Sequence, residues 1–224
     1  TNIAFLGPND ILVLEKNKGT VQRIVGGVKL IEPILDVNVA ASSERGMLGI
    51  AVQKNMTADN SDTDEETTYV FLYFTEADKD NGIALGNRVY RYEFIDNKLV
   101  NPKLLLELPA GLYHNGGKIL IGPDNYLYLT VGELDNKTSQ AQERSTVLNY
   151  QGERAIEPDG RGGILRIDQN GGAILNDEHG ILGDEAPLDK YYAYGIRNSF
   201  GMDFDPVTGK LWDTENGPEY GDEI

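Results

Sequence analysis

One short unit keeps returning along this chain: a Gly/Pro/Asn/Asp turn, a buried-looking strand, a second turn, and an alternating strand that ends on arginine. Gly7-Pro8-Asn9-Asp10 leads into Ile11-Leu12-Val13-Leu14-Glu15, and Asn17-Lys18-Gly19 turns the chain into Thr20-Val21-Gln22-Arg23-Ile24-Val25. Gly122-Pro123-Asp124-Asn125 precedes Tyr126-Leu127-Tyr128-Leu129-Thr130-Val131, and Asp205-Pro206-Val207-Thr208-Gly209-Lys210 precedes Leu211-Trp212-Asp213-Thr214-Glu215. Asn87-Arg88-Val89-Tyr90-Arg91 and Gly163-Ile164-Leu165-Arg166 repeat the arginine-ended strand of Gly19 to Arg23. A chain with this pattern reads as all-β, in strands of about 4–7 residues, because apolar residues alternate with period 2 and no long segment has helical period. Short strands between Gly/Pro turns suit a sandwich, a barrel or a propeller, and repetition of one unit favours the propeller.

The chain of 224 residues is long enough to bury a core, and all-β folds of this length are commonly one domain, so residues 1–224 are taken as one. Its formal net charge of -16 argues against a phosphate-binding surface for nucleic acid. That charge suits carboxylates facing water or a divalent cation. Absence of cysteine rules out disulfides and thiolate metal sites. No apolar run approaches the ~20 residues that span a bilayer, and Thr1 to Leu6 is not a signal peptide.

Insertions separate the units. Lys54 to Thr68 carries Asp59, Asp62, Asp64, Glu65 and Glu66 and reads as a solvated acidic loop without EF-hand spacing. Thr75 to Gly86 and the long polar stretch Leu134 to Arg161 read as further loops. Asn55-Met56-Thr57 and Asn136-Lys137-Thr138 match the N-glycosylation pattern, which chance matches often do.

Chemistry gathers in three places. His114, one of two histidines, is followed by Asn115, Gly116 and Gly117, then a short apolar strand and a turn. An imidazole suits proton transfer near neutral pH, and paired glycines allow close approach of a ligand or of backbone. The same residues would also serve as a structural histidine at a glycine turn. The other histidine, His179, reads as part of a polar surface loop. Arg197-Asn198 supplies a cation and an amide at a strand end, fit to hold an anionic or quinonoid oxygen or to make a structural ion pair. Glu215-Asn216-Gly217-Pro218 offers backbone carbonyls beside carboxylates, which suits calcium or a plain acidic turn.

Taken together, Glu44-Arg45-Gly46-Met47-Leu48-Gly49-Ile50, His114-Asn115-Gly116-Gly117-Lys118-Ile119 with Gly122-Pro123-Asp124 and Gly132-Glu133, Gly163 to Ile167, Tyr194-Gly195-Ile196-Arg197-Asn198-Ser199-Phe200-Gly201, and Glu215-Asn216-Gly217-Pro218 with Gly221 to Ile224 resemble the glucose/sorbosone dehydrogenase family. That family includes soluble quinoprotein glucose dehydrogenases and aldose sugar dehydrogenases. The resemblance implies a six-bladed β-propeller that binds pyrroloquinoline quinone (PQQ) and calcium, of which this chain carries roughly the first three and a half blades. It implies a periplasmic or extracellular enzyme that oxidises a small-molecule aldose sugar at its anomeric carbon to the lactone, hydride passing to the quinone. His114 matches the general base, Glu133 the carboxylate that supports it, and Arg197 the group that contacts the quinone oxygen. Glu44 and Asn198 match positions beside cofactor and sugar, with glutamate at 44 where several relatives carry glutamine. Gly217 and Pro218 match the carbonyl ligands of calcium. Since the chain stops inside a family motif, it is expected to be C-terminally incomplete and inactive by itself. The alternative is a non-catalytic propeller that keeps the scaffold as a binding module. A sugar-lactone hydrolase on a six-bladed propeller would need axial carboxylates from several blades, a pattern this sequence lacks.

Overall fold

The computed structural model describes residues 2–57, 66–134, 159–174, 181–217 and 221–224. Among them every regular element is a strand apart from one turn of 3-10 helix, Leu188–Lys190. Four antiparallel sheets follow one another along the chain. The first holds β1 (Ile3–Gly7), β2 (Asp10–Glu15), β3 (Thr20–Val25) and two short pieces, β4 (Val28–Lys29) and β5 (Leu35–Asp36), both paired to β3. The second runs β6 (Met47–Thr57), β7 (Glu66–Ala77), β8 (Ala84–Ile95), β9 (Lys98–Leu108). The third runs β10 (Ile119–Ile121), β11 (Leu127–Val131), β12 (Gly163–Ile167), β13 (Tyr191–Tyr194). The fourth is β14 (Ser199–Phe204) paired to β15 (Leu211–Glu215).

Each sheet is a propeller blade, its strands laid down in sequence order from the inside outwards. The first strands of successive blades approach one another: β1 packs on β6, β6 on β10 and β10 on β14. Three blades and a two-stranded fourth make the partial propeller that the repeat predicts.

The central blade shows why the sequence folds this way. Tyr69 to Phe74 is an unbroken apolar run. Successive side chains of a strand point to opposite faces. Tyr69, Phe71 and Tyr73 therefore pack toward the third blade with Leu127, Leu129, Val131, Leu165 and Ile167. Val70, Leu72 and Phe74 pack toward the first blade with Leu12, Leu14 and Val21. A strand covered on both faces needs no polar alternation. Each such side chain contributes roughly 1.5–3 kcal/mol on burial. A third cluster of Tyr128, Ile164 and Met202 joins the third sheet to the fourth.

Two of the recurring arginines, Arg23 and Arg91, tie blades together, and a third, Arg166, packs within its own blade. Arg23 pairs with Asp10 (2.6 Å) and lies 5.0 Å over the ring of Phe94 in the second blade. Arg91 lies 4.3 Å over Tyr69 and donates to the Gln169 carbonyl (3.2 Å) and Asn170 Oδ1 (2.9 Å) in the segment after β12. Arg166 faces the rings of Tyr192 and Tyr126.

The structure corrects the expected strand lengths and two loops. The second blade's strands run 11 or 12 residues, well beyond 4–7. Lys54 to Thr57 and Glu66 to Thr68 belong to strands, as do Thr75 to Ala77 and Ala84 to Gly86, because the β6–β7 and β7–β8 ladders continue through polar residues whose backbone pairing does not depend on side-chain polarity. The acidic residues Asp59 to Glu65, the stretch 135–158 with Asn136, residue His179 and residue Pro218 lie outside the described residues.

Candidate functional site at one edge of the blades

Antiparallel pairing places the start of one strand beside the end of its partner. His114 stands just before β10 and Glu133 just after β11, and these strands pair Ile119 with Leu129 and Ile121 with Leu127. Both residues therefore come to the same edge of the third blade. Arg197 and Asn198 stand just before β14, and Ser199 pairs with Glu215 at the end of β15. Glu44 stands just before β6. The entries to three inner strands thus converge on one spot.

The convergence is tight at the backbone. Gly132 lies where an added Cβ would come within 2.0 Å of the His114 carbonyl oxygen and 2.8 Å of the Arg197 carbonyl oxygen. Only a residue without a side chain fits there. The Glu133 N–H donates to the Arg197 carbonyl at 2.9 Å. His114 itself takes a left-handed backbone, φ 53°. Such a conformation costs a non-glycine residue roughly 1–2 kcal/mol and persists where surrounding contacts fix it.

Those contacts are specific. The His114 N–H donates to Glu44 Oε2 at 2.6 Å, and Asn198 Nδ2 donates to the same oxygen at 3.3 Å. Asn198 Oδ1 accepts the Gly116 N–H at 3.1 Å. Asn198 is 1% exposed and spends both ends of its amide on the protein. The His114 ring contacts Glu133 through Nδ1 and Oε1. Both side chains are buried, and the second carboxylate oxygen of Glu133 is buried with no hydrogen-bond partner among the described residues. Arg197 is held by its own N–H on Glu215 Oε1 (2.6 Å) and by a guanidinium NH on the Asn216 carbonyl (2.7 Å). Its Nε is buried and has no partner among the described residues. Glu44 also lines an adjoining cavity of about 400 Å³, with Lys16, Ser43, Gly116, Lys118 and Phe200 around it. Burial pushes the Lys16 ammonium below its ordinary range, while the Glu44 charge works against that.

The structure therefore brings His114, Glu133, Arg197, Glu44 and Asn198 together. Gly217 is buried near the end of β15, its N–H on Asp222 Oδ1 at 2.9 Å. No cluster of three or more His, Cys, Asp or Glu side chains able to hold a metal occurs among the described residues. A calcium site built on backbone carbonyls would not need one. Glu215 was not singled out as a site residue from sequence. It entered the reading only within the Glu215-Asn216-Gly217-Pro218 stretch, beside the candidate calcium-binding carbonyls, and only the Ser199–Glu215 register reveals its contact with Arg197.

The glucose/sorbosone dehydrogenase family model matches residues 1–224. The chain belongs to that family. Similar proteins include quinoprotein glucose dehydrogenase B of Acinetobacter calcoaceticus, 28% identical over 97% of this chain and 46% of the relative. Aldose sugar dehydrogenase YliI of Escherichia coli K12 is 23% identical over 99% of this chain and 54% of the relative. The chain spans about half the length of these curated relatives. Among solved structures it resembles the PQQ-bound aldose sugar dehydrogenase of Streptomyces coelicolor, with TM-score 0.69 and 25% identity over 99% of this chain and 62% of the other. It also resembles a proposed glucose dehydrogenase of Thermus thermophilus, with TM-score 0.73 and 27% identity over 99% and 59% of the two chains. For a member of the glucose/sorbosone dehydrogenase family, the donor set suits a planar, acidic quinone: the buried Arg197 Nε is a cationic donor with no acceptor among the described residues.

Proposed function

We propose that the whole protein, of which residues 1–224 form part of a single propeller domain, is a PQQ-dependent oxidoreductase that oxidises an aldose sugar at its anomeric carbon to the lactone. The observation that carries this reading is the His114–Glu133 pair beside Arg197. Its wider support is the family match and the quinoprotein relatives.

Removing hydrogen from an alcohol carbon is slow until its hydroxyl proton is taken by a base. In this reading His114 does that work. Glu133 receives the Nδ1–H, which leaves the Nε2 lone pair as the basic site. When the ring takes a proton, the buried Glu133 carboxylate faces the new positive charge. Arg197, fixed by Glu215 and Asn216, offers to a cofactor oxygen the Nε that has no partner among the described residues. Glu44 fixes the backbone of His114 and the amide of Asn198 and presents a carboxylate to the cavity. PQQ, when bound, supplies the two-electron oxidant that these side chains lack. Gly217 and Pro218 would lend backbone carbonyls to calcium, a hard cation that suits such oxygens. The reading places the enzyme in the periplasm or outside the cell. No described helix is long and apolar enough to cross a membrane.

The test is titration of the full-length protein with PQQ and calcium, followed by dye reduction with aldoses. Quinone absorbance should change on binding, and His114→Ala should abolish turnover while PQQ still binds. Absence of both PQQ binding and sugar oxidation would leave a non-catalytic propeller in its place.

A further inference from the structure

A buried polar chain runs from the second blade to the loop that carries His114. Strand period puts Tyr73 and Thr75 on one face of β7, and Thr75 stands directly opposite Asn87 on β8. All three are fully buried at the end of a blade otherwise filled with apolar side chains. The Thr75 hydroxyl donates to Asn87 Oδ1 at 2.7 Å. Asn87 Nδ2 donates to the Pro109 carbonyl at 3.1 Å and to Asn115 Oδ1 at 3.0 Å. The Asn115 amide then clasps Gly111, accepting its N–H at 3.2 Å and donating to its carbonyl at 3.1 Å. The Tyr73 hydroxyl donates to the Asn115 backbone carbonyl at 2.9 Å.

Every polar side chain in this chain of contacts has a partner, and the partners converge on the residues that flank His114. Burying four polar side chains costs stability unless all their hydrogen bonds form. An apolar residue at 75 or 87 would pack there without that demand. The loop could also close on its own through the Asn115–Gly111 clasp. What the second blade adds is a fixed reference for the loop: Pro109 and Asn115, on either side of the histidine, are both held by the one Asn87 amide.

We infer that Tyr73, Thr75, Asn87 and Asn115 are positioning residues that lock the left-handed backbone at His114 and thereby hold its ring against Glu133. The inference rests on the dehydrogenase reading only for its kinetic readout. A spectroscopic readout stands apart from it.

The experiment compares the full-length protein with a Tyr73→Phe/Thr75→Val variant, which removes two hydroxyls without changing side-chain shape much. The His114 Nδ1–H, held by a carboxylate, should give a far-downfield proton resonance in the cofactor-free protein, assigned by its loss in His114→Gln. In the double variant that resonance should broaden or move upfield. In the loaded enzyme kcat should fall about tenfold, with KM for the sugar nearly unchanged. Restoring the hydroxyl with Tyr73→Phe/Thr75→Ser should recover part of both. An unshifted resonance in the double variant overturns the inference, whatever the kinetics. A shifted resonance with unchanged kcat supports the lock and overturns the base role of His114. A protein with no PQQ-dependent activity sinks the dehydrogenase reading and leaves the resonance to decide the lock.

Discussion

The N–H of Glu133 donates to the carbonyl of Arg197 across 2.9 Å, so the third blade grips the entry to the fourth at the residue that also holds the His114 ring. One residue thus serves the seam to the fourth blade through its backbone and the His114 ring of its own blade through its side chain, and the two can be separated by mutation. Glu133→Gln keeps the backbone bond and the shape but removes the charge facing the ring. In the full-length enzyme, kcat should fall by about 10²-fold, the size of a general acid–base contribution, with little change in melting temperature. Steady-state kinetics beside a thermal melt checks both halves.

Gly132 sits between the carbonyls of His114 and Arg197. Gly132→Ala should force them apart and cost about 1–3 kcal/mol, the usual range for overpacking. The loss should appear as a lower urea midpoint. Activity should suffer more than stability, because the displaced groups carry the proposed base and the proposed cofactor contact.

Arg197→Lys keeps a cation but loses the guanidinium fork that meets the Asn216 carbonyl and presents Nε. PQQ affinity should weaken by about tenfold, the equivalent of one hydrogen bond. Quinone absorbance titrated against protein measures it directly.

Glu15 accepts from Lys18 (2.8 Å), Thr20 (2.7 Å) and Gln22 (2.7 Å), and these hydrogen bonds lower its carboxyl from 4.5 to about 2. A carboxyl depressed on folding contributes stability that is fully present above its unfolded value. That contribution should fade as pH drops from about 4.5 toward about 2 and be gone below it. In Glu15→Gln the dependence should flatten over that window. Denaturant midpoints of the two proteins should differ at about pH 6 and converge near the depressed value of about 2.

Much of this architecture was legible in the residues. The turn-and-strand repeat located β2, β3, β11 and β15 because Gly, Pro and Asp turns and period-2 alternation are local signals. The arginine-ended strands were visible too, although their use as ties between blades was not, since Phe94 and Asn170 lie far from their arginines in sequence. Strand length was misjudged at Thr75, which looked like loop although its cross-strand partner Asn87 read as strand. Their side chains are buried in a hydrogen-bond network, and burial of a polar group by partners distant in sequence leaves no mark on local hydropathy. The residues that gather at the candidate site, His114, Glu133, Arg197, Glu44 and Asn198, were singled out through motifs. The contact of Glu215 with Arg197 required strand register.

Two seams, on either side of the third blade, meet where His114 meets Glu44 and where Glu133 meets Arg197. A rotation of any wedge against its neighbour is therefore felt there first, as a lateral slip of the imidazole or the guanidinium. The converse holds as well. A molecule gripped by both groups would clamp the wedges at one pitch, so occupancy and mechanical stiffness would rise together, and slow amide exchange along β6, β10 and β14 would report on binding from a distance.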